Sequence, residues 1–195
     1  IMKFDISEST RLLIKQATDY WCSQEIVPEE VRTQMPAFKL ILALTEKYHA
    51  LVMNPPYMGS NNMNETLQVY VNNKYRDGKA DLFSTFMILA IDSLIVNGKY
   101  GMINMHSWMF LSSFTSLRNS IISSQKIDSM LHLGARTFDE LSGEIVQNVA
   151  FVISNTSCDS SKNGVYYRLV NGRNCSEKET IYISNKDEIN NSIVY

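Results

Sequence analysis

A chain of 195 residues is long enough for one domain with a sizeable core, and 45% hydrophobic with 19% charged residues is the make-up of an ordinary globular protein. Eighteen basic against twenty acidic residues leave a formal charge of −2, which excludes the basic excess of a stand-alone nucleic-acid binder. Three scattered cysteines (Cys22, Cys158, Cys175), with no CxxC or Cys/His spacing, indicate neither a zinc site nor a disulfide framework and fit a reduced, cytoplasmic setting.

The first residues lack the apolar core of a signal peptide. Residues 7–21 predict a helix, capped by Ser7 or Ser9, with Leu12, Leu13, Ala17 and Tyr20 or Trp21 on one face. Residues 29–49 read as helix too, with Pro36 dividing them so that "AFKLILALTEKY" is the better half. Ala50 to Met53 is a short buried strand bounded by prolines. The polar, asparagine-rich segment 58–79 predicts a loop with a short helix near "NETLQVYVNNKY".

Asp81 caps a long helix expected to run through Val96, burying Phe83, Phe86, Met87, Ala90 and Leu94, and Asn97-Gly98 ends it. The apolar stretch inside it is too short to span a bilayer and carries Asp92. "YGMINMH" is the next strand, Ser112 or Ser113 opens a helix through "FTSLRNSIISS", and "IDSMLHL" and "NVAFVIS" are strands joined by a loop holding Gly134, Phe138 and Gly143. After Ser154 comes a polar linker, and "VYYRLVN" and "TIYIS" predict further strands. No internal repeat is present.

Strands alternating with helices predict an α/β, Rossmann-like domain with a mainly parallel sheet; the short link between the last two core strands predicts a terminal antiparallel pair. The expected organisation is a helical lead-in over 1–49, a central unit over 50–155, and a linker with the start of further strands over 156–195.

Asn54-Pro55-Pro56-Tyr57 sits where such a sheet binds ligands, at the carboxyl end of a strand. Proline has a carbonyl but no N–H and a fixed φ, so the pair makes a stiff rim of acceptors. Asn54 adds a side-chain carbonyl and Tyr57 a flat face. Two aimed acceptors beside an aromatic plane suit a planar ligand with an exocyclic amine, such as adenine. An aryl amine is a poor nucleophile because its lone pair is delocalised. Acceptors on its two hydrogens favour a pyramidal nitrogen and stabilise the charge that grows during attack, each contact being worth about 3 kcal/mol. A methyl group on a sulfonium is a suitable electrophile. The bland alternative is a tight strand exit.

The motif and its surroundings resemble a known family. "MNPPYMGSNNM", "KADLFSTFMILAIDSL", "GKYGMINMHSWMFLSSFTSLRN" and "LHLGARTFDELSGEIVQNVAFVI" are together similar to adenine-specific DNA methyltransferases of the PglX type, from bacterial phage-defence systems, and more loosely to restriction-modification N6-adenine enzymes. The similarity covers roughly residues 45–155. It implies that Asn54 and the Pro55 carbonyl accept from the adenine N6 amine, Pro56 stiffens the turn, and Tyr57 stacks on a base flipped out of the duplex. Phe138 matches a position where the wider family often sets an aromatic against the base; a place in the core is its other reading. Trp108 and Phe110 are expected to pack.

The resemblance further implies S-adenosylmethionine as cofactor, double-stranded DNA as partner, possible defence-system subunits, and no membrane or metal. The family's glycine-rich cofactor turn should precede the motif, yet residues 1–49 contain no glycine. Asn54 is therefore the one position here expected to touch the cofactor, and the chain is expected to be an inactive fragment. Methyl transfer to protein glutamine or RNA adenine, and a non-catalytic scaffold, remain as alternatives. His49, His106 and His132 share no spacing and are expected to be structural.

Overall fold

A computed structural model describes residues 6–138, 146–156 and 164–188, the last three of these by backbone alone. Gly143 and Cys158 lie outside the described residues. The chain divides into two compact units, Ile1–Lys47 and Tyr48–Tyr195.

The first unit is a pair of packed helices, α1 (Glu8–Cys22) and α2 (Glu29–Thr45). Ser7 caps α1 by accepting the Thr10 N–H at 3.1 Å. Arg11 bridges Glu8 in its own helix and Glu46 just beyond α2. Leu12, Leu13 and Tyr20 stay more than half exposed, so two helices bury only part of the expected face. Pro36 does not divide α2, contrary to expectation. It removes one N–H and strains one turn, at about 3 kcal/mol, but Gln34, Met35, Ala37, Lys39 and Leu40 around it are strong helix formers. The helix stops at Thr45 because Glu46 turns extended.

The second unit is built on a five-stranded sheet. Its strands are β1 (Tyr48–Met53), β2 (Leu94–Met105), β3 (Lys126–Gly134), β4 (Asn148–Ser154) and β5 (Val165–Arg168). The spatial order is β1-β2-β4-β3-β5. β1, β2, β3 and β5 run one way, and β4 alone runs against its neighbours β2 and β3. Four of the five strands thus run one way, but two of the four pairings are antiparallel and the sheet is mixed; β3 and β4 form the antiparallel pair that their short link implied. That pair is not terminal in space, since β4 lies inside the sheet between β2 and β3.

Three helices, α3 (Glu65–Lys74), α4 (Leu82–Ser93) and α5 (Thr115–Ser124), connect the strands, and α6 (Cys175–Glu188) follows β5. α4 and α5 cover one sheet face, enclosing Phe83, Met87, Tyr100, Leu117, Ile121 and Ile153. Phe86 is only partly buried there. No helix among the described residues is long and apolar enough to cross a membrane.

Several elements differ from the sequence pattern. α4 ends at Ser93 rather than Val96, because Leu94 is already extended and opens β2. Ile95 and Val96 are β-branched and favour the strand. Asn97-Gly98 then forms an irregularity in β2, where the pairing jumps from Tyr48↔Leu94 to Ala50↔Lys99. Asn97 takes φ 64°, and a Cβ on Gly98 would lie 3.0 Å from the carbonyls of Ile95 and Tyr48. Secondly, "TIYIS" lies inside α6 and is not a strand. Asn174 accepts the Glu177 N–H at 2.8 Å while Glu177 accepts the Arg173 N–H at 2.9 Å, and this reciprocal cap outweighs the β-branched residues. The strand "VYYRLVN" is likewise shorter, ending at Arg168.

Candidate functional site

The carboxyl ends of the parallel strands gather four features: the exit of β1 at Asn54, the exit of β2 at His106, the end of β3 at Gly134, and the start of β4 at Asn148. Met105 and Gly134 both pair with Asn148. The site is therefore set on strand ends whose backbone is fixed by neighbouring ladders.

Asn54 is exposed, Pro55 is buried, and Pro56 and Tyr57 are exposed. Asn54 stands at a hollow of about 460 Å³ on the sheet face, whose side walls include Val52, Gly101, Ile103, Leu131 and Val152. The Tyr57 ring meets Phe83 edge-on, with centroids 6.2 Å apart and planes at 83°. Its hydroxyl accepts a hydrogen bond from Asn148 Nδ2 at 3.4 Å. Phe83 is fully buried and stacks in turn against Phe114 at 5.5 Å. Tyr57 is thus braced by Phe83 and Asn148 and is 37% exposed.

The chain beyond Tyr57 is stitched to the head of α4. Asp81 caps that helix at the Phe83 N–H (3.2 Å) and also accepts the Met58 N–H at 3.0 Å. Leu82 N–H returns a bond to the Met58 carbonyl at 2.9 Å, and Ser60 N–H bonds the Ala80 carbonyl at 3.0 Å. The sequence marks Asp81 as a cap but carries no sign of its second bond.

Two histidines expected to be unrelated meet at this edge. His106 Nδ1 and His132 Nε2 are 2.8 Å apart, so one ring donates to the other. Burial lowers the pKa of both; His106 itself, Arg168 and Lys178 lower that of His132 further. Phe110 packs edge-on against His106 but remains 59% exposed, unlike the packing residue expected from sequence. Trp108 is buried as expected, its indole N–H bonded to Asn104 at 3.2 Å. Arg118 braces the turn between them through the carbonyls of Trp108 (2.8 Å) and Leu111 (2.6 Å). Phe138 is 40% exposed, which removes the core reading and leaves its ring accessible.

The donor set tests what this chain could hold. Among the described residues no three His, Cys, Asp or Glu side chains cluster as metal ligands. The hollow beside Asn54 is lined by apolar groups with Asn54 and Ser129 as its polar side chains, and contains no carboxylate. Ribose hydroxyls and an amino-acid end would find no carboxylate or cation there among the described residues. The described residues of this hollow do not match the polar groups of S-adenosylmethionine.

This architecture is that of class I S-adenosylmethionine-dependent methyltransferases. A solved member from Listeria monocytogenes superposes with a TM-score of 0.53 at 11% identity, over 75% of this chain and 43% of that one. Residues 5–138 match the Eco57I restriction-modification methylase family, and the chain belongs to it. It is 40% identical over 147 residues to the adenine-specific methyltransferase BrxX of Escherichia coli O9:H4 (strain HS), covering 75% of this chain and 12% of BrxX. It is also 40% identical over 153 residues to the adenine-specific methyltransferase PglX of Lacticaseibacillus casei (strain Zhang), covering 78% of this chain and 13% of PglX. The chain spans about one eighth of the length of these relatives.

Proposed function

We propose that residues 50–155 form the catalytic half of an adenine-N6 DNA methyltransferase acting in restriction-modification or phage defence. Asn54 Oδ1 and the Pro55 carbonyl accept the two N6 hydrogens of a flipped adenine, Pro56 stiffens the turn, and Tyr57 stacks on the base. Phe138 lies against the base from the opposite loop. Double-stranded DNA is the substrate, and subunits of a defence system are partners. S-adenosylmethionine supplies the methyl group, with Asn54 this chain's contribution next to it. The reading places the enzyme in the cytoplasm.

The observation that carries this reading is the placement of Asn54 and Tyr57. Asn54 is exposed beside a hollow at the end of β1, and, three residues on, the Tyr57 ring is partly exposed over Phe83. Family membership and the names of the 40%-identical relatives point the same way. The test is methyl transfer to DNA by the full-length protein with and without Asn54→Ala. Losing one transition-state acceptor should lower the rate about 100- to 1000-fold. Undiminished transfer by the variant rejects Asn54, and transfer to protein or RNA but never to DNA rejects the substrate.

A further inference from the structure

We infer that Asn148 is a positioning residue for Tyr57, fixing where the stacking ring stands; the inference rests on the functional reading above. A tyrosine hydroxyl lies on the axis about which its ring spins. A bond to it therefore limits how the side chain swings but not how the ring turns. Two of the contacts of Tyr57 divide those tasks. Asn148 Nδ2 reaches the Tyr57 hydroxyl at 3.4 Å and restrains the swing, and Phe83, edge-on at 6.2 Å, sets the spin.

Asn148 is costly where it stands. It is 1% exposed, and its Oδ1 is enclosed with no hydrogen-bond partner among the described residues. A buried acceptor left unpaired costs about 1–3 kcal/mol. Valine or isoleucine at the head of "NVAFVIS" would prolong the strand without that cost. The residue's backbone is held on both sides, by Met105 of β2 and Gly134 of β3, so its side chain is a rigid post. An unsatisfied polar group tolerated beside an exposed ring, on the most constrained backbone of that edge, is explained by the work done on the ring.

The experiment uses the full-length protein and a duplex in which 2-aminopurine replaces the target adenine, located beforehand by mapping methylated adenines in host DNA. Fluorescence rises when the purine leaves the stack. Tyr57→Phe keeps the ring and removes the hydroxyl; Asn148→Ala removes the post. Each should weaken capture of the extruded base about 3- to 10-fold, the worth of one neutral hydrogen bond. The double variant should be no worse than either single one. Losses that multiply in the double variant overturn the inference, as does an Asn148→Ala protein that captures the base like the unsubstituted one. Thermal unfolding checks that Asn148→Ala folds. If it does not, Tyr57→Phe decides alone: capture within about 2-fold of the unsubstituted protein overturns the inference. An unsubstituted protein that methylates no DNA rejects the functional reading and this inference with it. Methylation with multiplying losses rejects this inference alone.

Discussion

The Asp81 carboxylate accepts the backbone N–H of Met58 at 3.0 Å, so the cap of α4 is also the clasp of the loop that follows Tyr57. The same oxygen serves the Phe83 N–H, and Phe83 is the ring beneath Tyr57. One side chain thereby ties Tyr57, the ring that supports it and its exit loop to a single helix start. Asp81→Ala should cost about 2 kcal/mol of stability, one part for the cap and one for the loop donor. Asp81→Asn keeps an acceptor in place and should cost less than half of that. Urea unfolding midpoints of the two variants check the difference, and equal losses would mean that charge rather than acceptance is what matters.

The histidine pair predicts a loss of stability on mild acidification. His106 and His132 both have folded pKa values below the ordinary 6.5, chiefly through burial. The unfolded chain therefore takes up protons that the folded one refuses. Their contribution is full above about pH 6.5 and is lost as the pH falls from there through the folded values. Two imidazolium rings at 2.8 Å would also repel across a bond that needs one free lone pair. The urea midpoint should drop between about pH 7.5 and about pH 5.5, and His132→Gln should flatten that slope. A midpoint that stays level for the unsubstituted protein would show that the folded and unfolded histidines take up protons alike.

A second acid transition belongs to the other end of the sheet. Asp128 on β3 lies with Ser154 of β4, Lys99 of β2 and Lys126 on its own strand. Burial acts to raise its pKa, but the bonds from Lys99, Ser154 and Lys126 prevail and hold it at about 2, below the usual 3.8. A depressed carboxyl stabilises the fold above its unfolded value, and that share disappears as the pH falls from about 4 towards 2. It is on the order of 1 kcal/mol, because Lys99 is more than half exposed and solvent screens its part. Asp128→Asn should remove this step from an acid-unfolding curve and leave the histidine step untouched. Persistence of the low-pH step in the variant would assign it to another carboxyl.

These features differ in how far the sequence exposes them. Asn54 to Tyr57 could be placed because an apolar run followed by two prolines is a local pattern, and local patterns survive folding. The Asp81 cap and the antiparallel pairing of β3 with β4 were readable for the same reason. The end of α4 was not, since Leu94 to Val96 suits either a helix or a strand and the pairing with Tyr48 decides. α6 was misread because "TIYIS" is β-branched, while the deciding cap, Asn174 with Glu177, lies upstream of it. His106 and His132 are separated by 26 positions and meet because the carboxyl ends of β2 and β3 flank the start of β4. Asn148 bears no mark at all: its importance comes from what lies 91 positions earlier, at Tyr57.

The last prediction concerns a buried cation. Lys178 of α6 is 4% exposed, and its ammonium donates to the carbonyls of Leu133 (2.8 Å), Gly172 (2.8 Å) and Leu169 (3.3 Å). An ammonium has three donors, and three carbonyls lie within hydrogen-bond reach of it. Leu133 belongs to the end of β3, and Leu169 and Gly172 follow β5, so the one side chain pins α6 to the carboxyl ends of two strands. Gly172 is fitted around it, since a Cβ there would come within 2.6 Å of the Lys178 Cγ. Lys178→Met keeps the stem and deletes the charge-assisted bonds, which should cost about 3 kcal/mol. Lys178→Arg should not rescue the loss, because a planar guanidinium cannot enter a pocket shaped for a compact ammonium. Amide exchange should be accelerated most in α6 and at the end of β3, as expected for local release of that helix. Unchanged protection of α6 in Lys178→Met would show that apolar packing alone, through residues such as Tyr182 on Tyr167, holds the helix in place.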